Sequence, residues 1–325
     1  MTRLSDAGSL ANAAKDGDDR ALGRLVSLVE SNPAFLAEVS PKLATNASRA
    51  HTIGITGSPG VGKSTLIAEL IAQFRAEQRR VAVVAVDPSS PYSGGALLGD
   101  RIRMQAHVLD RDVFIRSMSN RGHLGGLASR TPDVIDLLSR SRFDVVIIET
   151  VGIGQAEVEI ANYADTVVLV STADSGDSVQ VAKAGVLEIG DVFVVNKSDR
   201  PGSSAIAADL REMLSLGAHE GGFDPQVLEL SAQTHQGVAD LIGEIARHRE
   251  WLNSNGELER LRVRRAETRL RSVLAELALA RTDRLDSGAA IQMAAAQIAD
   301  GSLEVRDAAR ALLDRVAAPP APPEW

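Results

Sequence analysis

A doubly wound α/β sheet with helical extensions at both ends is the fold class this sequence predicts, and three observations predict it. Between residues 51 and 235, short apolar runs alternate with amphipathic stretches of helical length. The runs are continuous and β-branched rather than alternating, as parallel strands buried on both faces require. Outside that region only helical spacing occurs. Strand–helix–strand alternation of this kind implies a mostly parallel sheet covered by helices on both faces.

Residues 1–50 read as helices. Leu22, Leu25, Val26, Leu28 and Val29 recur at helical spacing, and Pro33 and Pro41 are expected at helix ends. The strand candidates follow in order: TIGIT (52–56), VAVVAV (81–86), VFIRS (113–117), DVVIIE (144–149), TVVLVS (166–171), VFVVN (192–196) and VLELS (227–231). After about Asp240 no strand signal remains. Residues 257–284 form an Arg-rich helix with Leu270, Leu274 and Leu277 on one side, and a second helix runs from about 287 to 299. A third carries Val305, Leu312, Leu313 and Val316, and the Pro-rich tail AAPPAPPEW is expected to fray. The organisation is therefore an N-terminal helical extension (1–50), a central α/β domain (51–250) and a C-terminal helical region (251–325).

Composition excludes several function classes. Lys+Arg 35 against Asp+Glu 43 gives a net charge of −8, which argues against a general nucleic-acid binder or a polybasic membrane binder. With 0 cysteines there are no disulfides, thiolate metal sites or cysteine nucleophiles. No apolar run approaches the ~18 residues of a membrane span. The polar N-terminus lacks a signal-peptide core, so the expected location is the cytoplasm.

The segment GSPGVGKS (57–64) follows TIGIT and precedes the helical stretch TLIAELIAQFRAE, which makes it G-x-x-x-x-G-K-S in its required strand–loop–helix context. Gly57, Gly60 and Gly62 let the backbone wrap tightly, turning N–H groups and the helix N-terminus toward phosphate oxygens. The cradle comprises Gly57, Ser58, Pro59, Gly60, Val61, Gly62, Lys63, Ser64 and Thr65. Lys63 can reach the β- and γ-phosphates, and the Ser64 hydroxyl can coordinate Mg²⁺.

A second motif addresses the base. NKSD (196–199) follows the apolar run VFVV, where guanine-binding proteins place N-K-x-D. Asp199 can accept from the guanine N1–H and 2-amino groups, a donor pair adenine lacks. Asn196 would contact the base edge or brace the loop, and the Lys197 stem can lie over the ring. SAQ, namely Ser231, Ala232 and Gln233, follows the last strand, where such a loop offers backbone contacts to the guanine O6. Of 35 basic residues only Lys15, Lys42, Lys63, Lys183 and Lys197 are lysines, and two of them fall in these motifs. A point charge rather than an Arg fork suits both positions.

The run DVVIIETVGIG (144–154) ends a strand with an acid and places a glycine three residues later. Glu149 and Gly152 thus form the E-x-x-G counterpart of the usual D-x-x-G, with Glu149 expected toward a Mg²⁺-bound water and the Gly152 N–H toward the γ-phosphate. Ile153 stands where Ras-like enzymes have a water-orienting Gln, and Gln155 lies two residues on. Asp87, closing VAVVAV, and Asp100, in GGALLGDRIRM, are further candidates for metal or water. His51, His107, His123, His219, His235 and His248 are scattered without metal-ligand spacing.

The ordered string GSPGVGKST, VDPSSPYSGGALLGDRIRM, SNRGHLGGLAS, IIETVGIGQAEVEIA and VVNKSD resembles the MeaB/ArgK/MMAA family over about residues 20–250. These are P-loop GTPases, related to metal-site assembly GTPases, that chaperone adenosylcobalamin-dependent acyl-CoA mutases. The resemblance implies a P-loop GTPase core and a homodimer formed through the C-terminal helices. It also implies GTP and GDP with Mg²⁺ as ligands, and gating and protection of a client mutase's cofactor. Methylmalonyl-CoA mutase or a relative is the implied client, and a cobalamin adenosyltransferase a further partner. The family's partner-responsive segment G-D-x-L-Q-G-I-K-K-G reads GDSVQVAKAG (176–185) here: Asp177, Gln180 and Lys183 match, whereas Val179, Val181, Ala182 and Ala184 differ. Two alternatives share the core. A nickel-insertion accessory GTPase would need Cys or His ligands, and a kinase or transport ATPase would need ATP preference, which Asp199 opposes.

Overall fold

The computed structural model describes residues 4–32, 34–43, 49–87, 107, 109–119, 130–150, 159–173, 186–216, 222–282 and 289–317. Three helices, α1 (Leu4–Lys15), α2 (Asp19–Ser31) and α3 (Ala34–Leu43), precede the first strand. The Asp18 carboxylate starts α2 by accepting from the N–H groups of Arg20 and Ala21 at 2.8 and 3.1 Å. The face that recurs every three or four residues, Leu22, Leu25, Val26 and Val29, is buried in one cluster with Val84 and Val146 of the sheet. Pro41, expected at a helix end, lies inside α3. Its ring removes one N–H donor, but Val39 and Leu43 on the same helix are fully buried, and their packing keeps the last turn helical.

The chain then alternates through β1 (His51–Thr56), α4 (Lys63–Ala76), β2 (Val81–Asp87), β3 (Val113–Ser119), α5 (Thr131–Ser139), β4 (Val145–Glu149), β5 (Thr166–Ser171), β6 (Val192–Val195), α6 (Ser203–Leu216), β7 (Val227–Glu229) and α7 (Val238–Ser254). Each expected apolar run is a strand. The seven form one sheet in the order β3-β2-β4-β1-β5-β6-β7, and every strand pairing is parallel. Every residue of β1, β4 and β5 is buried, which is why their sequences do not alternate.

Alternate residues serve two cores. Val81, Val83, Val145 and Ile147 pack with Leu66, Leu70 and Phe74 of α4 and Leu241 and Ile245 of α7. Ala82, Val84, Val146 and Ile148 face the other way, onto α2 and onto Val134, Leu137 and Leu138 of α5. Each large apolar side chain so buried stabilises the fold by roughly 1.5–3 kcal/mol relative to exposure. Because all strands run parallel, the ends of β1, β2, β4, β6 and β7 share one edge, the edge where open α/β sheets bind ligands.

Contacts divide the chain into two compact units, Met1–Glu259 and Arg260–Trp325. The N-terminal helices pack within the first unit. Helices α8 (Glu257–Thr282), α9 (Ala289–Ala299) and α10 (Val305–Ala317) complete the chain. Leu270, Leu274 and Leu277 of α8 are all more than half exposed, as are Val305 and Met293. Among the described residues, no helix is long and apolar enough to cross a membrane.

Candidate nucleotide-binding site

The site is assembled from three components at the carboxyl edge. The first joins β1 to α4. Gly57 and Gly62 both take positive φ, 138° and 97°, and neither position has room for a side chain. A Cβ on Gly57 would lie 2.0 Å from the Val170 carbonyl oxygen, and one on Gly62 would lie 2.5 Å from Asn196 Nδ2. Gly62 caps α4 without a side-chain acceptor, so the first-turn N–H groups stand ready for an anion. Lys63 is buried, and its Nζ donates to the carbonyls of Gly57 and Ser58 at 2.5 and 3.0 Å. The ammonium thus lies inside the curl of the loop, where a phosphate would also draw it.

The second component is the end of β4. In register, Glu149 pairs with Ile55 of β1 and Ala85 of β2, which places its side chain beside the start of α4. The Ser64 hydroxyl donates to Glu149 Oε1 at 2.7 Å, and both residues are buried. Thr150 is tied to the adjacent strand end by its N–H to the Ile55 carbonyl and by its hydroxyl to Thr56 Oγ1. A hydroxyl and a carboxylate in contact form a hard oxygen donor pair, the chemistry Mg²⁺ selects.

The base-motif loops after β6 and β7 form the third component. Asn196 is 2% exposed and gives both ends of its amide to backbone. Its Nδ2 donates to the Val61 carbonyl at 2.8 Å, and its Oδ1 accepts from the Ala232 N–H at 3.1 Å. One side chain therefore joins the phosphate loop to the SAQ loop, and its geometry is that of a brace. Lys197, at φ 61°, donates from Nζ to the Gly60 carbonyl at 2.9 Å. Asp199 is exposed at the rim, while Ser231 and Ala232 are buried and Gln233 is exposed. The Ser231 N–H donates to the Gln236 carbonyl, closing the SAQ loop on itself.

A family model described as methylmalonyl Co-A mutase-associated GTPase MeaB matches residues 22–285, from the first turn of α2 to beyond α8. The chain belongs to the MeaB family. A Pyrococcus abyssi relative is 46% identical over 263 residues, 80% of this chain and 81% of its own length. A region of 202 residues, 61% of this chain, is 39% identical to 18% of the fused isobutyryl-CoA mutase of Cupriavidus metallidurans. Among solved structures, that of a LAO/AO transport system kinase superposes with a TM-score of 0.71 at 23% identity, covering 98% of this chain and 100% of its own, and it shows the shared fold.

Several positions singled out from sequence in this MeaB-family chain fall outside the described residues: Asp100, Gly152, Gln155, Asp177, Gln180 and Lys183. Asp87 closes β2, so its backbone stands at the carboxyl edge opposite Ser119, and its side chain is likewise outside the described residues. Among the described residues, no group of three or more His, Cys, Asp or Glu side chains could hold a metal ion. One contact was not legible in the sequence. His235, beyond the SAQ loop, lies 2.5 Å through Nδ1 from Glu69 Oε2 of α4. The two residues are 166 positions apart in the chain, and no local spacing signals such a pair.

Proposed function

We propose that this MeaB-family chain binds guanine nucleotides, hydrolyses GTP to GDP and phosphate with Mg²⁺, and acts as a chaperone of an adenosylcobalamin-dependent acyl-CoA mutase. The observation that carries the nucleotide part is the Asn196 brace, which draws the phosphate loop and both base-motif loops into one cleft. The Gly57–Thr65 loop takes the phosphates with its N–H groups, and Lys63 exchanges its loop carbonyls for phosphate oxygens. Asp199 at the rim accepts from guanine N1–H and the 2-amino group. Lys197 lies under the ring, and the SAQ backbone faces O6.

Ser64 and Glu149 would hold Mg²⁺, with Asp87 and Asp100 as further candidates. That ion, when bound, neutralises charge building on the β- and γ-phosphate oxygens. Glu149 would orient a water held by such an ion, and Gly152, by its place in the E-x-x-G motif, would offer its N–H to the γ-phosphate.

The client assignment is supported by the relative that carries a matching region inside a fused isobutyryl-CoA mutase. Fusion of a GTPase-like region to a mutase is a fixed association of the kind two separate chains would make by binding. Gln155, Asp177, Gln180 and Lys183 are the proposed residues that respond to the mutase, which cobalamin adenosyltransferase would supply with cofactor. The exposed leucines of α8 offer a face for a homodimer.

Phosphate release from GTP, measured with and without a cobalamin-dependent acyl-CoA mutase of the same cell, tests the assignment. The free chain is expected to be slow and the mutase to accelerate it, with Lys183→Ala losing the acceleration while keeping the basal rate. Fast turnover indifferent to any such mutase would contradict the chaperone role.

A further inference from the structure

His235 belongs to no part of the site as derived so far, yet its placement is unusual on two counts. Its backbone lies at φ 62°, in the left-handed region. Among the described residues only Gln78, Lys197 and His235 are non-glycine residues with positive φ, and two of these three sit in the base-motif loops. Strained backbone of this sort persists where surrounding contacts over-determine it, and it concentrates at functional sites. The second count is the side chain. With that backbone, Nδ1 points across the surface to Glu69 Oε2 at 2.5 Å, on the helix that begins at Lys63.

The SAQ loop already has an anchor at its base, where Asn196 accepts from Ala232 N–H. It also has internal closure, through Ser231 N–H to Gln236 and Thr234 N–H to Ser231 Oγ. All three contacts are made to Asn196 or within residues 231–236. His235 adds a contact from the loop to a different element, α4.

We propose that His235 and Glu69 form a positioning tie that holds the base-reading loop against the phosphate-loop helix, so that the residence time of a guanine nucleotide depends on it. The inference rests on the guanine-nucleotide site proposed above. Neither residue is placed to touch the nucleotide. Both act through the loop they connect: His235 fixes the turn that follows Ser231–Gln233, and Glu69 fixes that turn to the element whose first residues hold the phosphates. The pair then adds to the two links that already join the base-motif loops to the phosphate loop, the Asn196 amide and the Lys197 Nζ bond to the Gly60 carbonyl. An exposed pair contributes little to folding, so its effect is expected in nucleotide dissociation, where changes to a binding surface are mostly felt.

The test is the dissociation rate of a fluorescent GDP from the full chain, as wild type, Glu69→Ala, His235→Ala, the double variant and Glu69→Gln. Each alanine variant is expected to release GDP about two- to fivefold faster. The double variant is expected to be no faster than the quicker single, since both remove one tie. Glu69→Gln keeps an acceptor for the ring N–H and is expected within about twofold of wild type. The nucleotide-free melting midpoint should stay the same throughout, which separates positioning from folding. Unchanged release in the single variants would overturn the tie. So would multiplied effects in the double variant, or Glu69→Gln releasing as fast as Glu69→Ala. A wild-type chain that binds no GDP is a different failure: it removes the nucleotide assignment, and the tie with it.

Discussion

In the proposed reading, base selection rests on the two carboxylate oxygens of Asp199. An adenine edge offers no matching pair of donors, and an unpaired carboxylate against the wrong base carries its full desolvation penalty. Asp199→Asn changes two acceptors into an acceptor and a donor, which suits the additional carbonyl of xanthine. The expected outcome is weaker GDP binding and a gain for XDP, measured by calorimetry with both nucleotides. Equal affinities of the wild type for GDP and ADP would remove Asp199 from base selection. Glu149, the proposed metal-side acid, accepts from the Ser64 hydroxyl. Glu149→Gln keeps the size and an acceptor while removing the charge. Its loss is expected in turnover, on the order of 10²-fold, more than in GTP affinity, because stabilisation grows as charge develops on the transferring phosphoryl group. Equal losses in turnover and affinity would assign Glu149 to binding alone.

At the scale of elements, the opposite edge of the sheet holds a separate polar network. His51 at the start of β1 and His248 of α7 both hydrogen-bond the Thr166 hydroxyl of β5, at 2.8 and 2.9 Å. Burial lowers His51 to a pKa of about 3 and His248 to about 4, with Arg249 adding to the first shift. Both rings are therefore neutral in the fold, whereas an unfolded histidine titrates near 6.5. Between the folded and unfolded values the unfolded chain binds more protons, so stability is complete above about pH 6.5 and falls as pH drops toward 4 and then 3. Each ring contributes a slope of about 1.4 kcal/mol per pH unit inside its window. Urea midpoints at pH 7 and pH 5 should separate clearly for the wild type and less for His248→Asn. Identical pH dependence in both proteins would mean that the ring does not ionise on unfolding. These contacts, like Glu69–His235, connect residues 82 to 166 positions apart. Sequence spacing reveals local periodicity, and so it displayed all seven strands and the phosphate loop. It could not display pairings made by the fold, nor choose between a base contact and a brace for Asn196. Pro41 shows the converse limit: a strong local breaker signal yielded to the tertiary burial of Val39 and Leu43.

On the scale of the whole molecule, the chain combines one sheet-centred unit that carries every described residue of the proposed nucleotide site with a second, helical unit from Arg260 onward. The first unit has the glycine-rich loop, an acid at a strand end and the Asn196 brace, and the catalytic apparatus proposed for it is incomplete. Ile153 stands in place of a water-orienting Gln, and no Arg lies within GSPGVGKS. A missing arginine finger alone is worth about 10³–10⁵ in rate. The proposed GTPase would therefore depend on a partner for speed, which accords with a similar region being joined to a mutase in a relative. The most direct measurement is steady-state phosphate release by the purified full chain with GTP or ATP, in Mg²⁺ or in a chelator, beside Lys63→Ala. Slow release from GTP, below about one turnover per second, is expected, with negligible release from ATP and loss of activity with the chelator or with Lys63→Ala. Comparable rates with ATP and GTP, or undiminished turnover in Lys63→Ala, would contradict it.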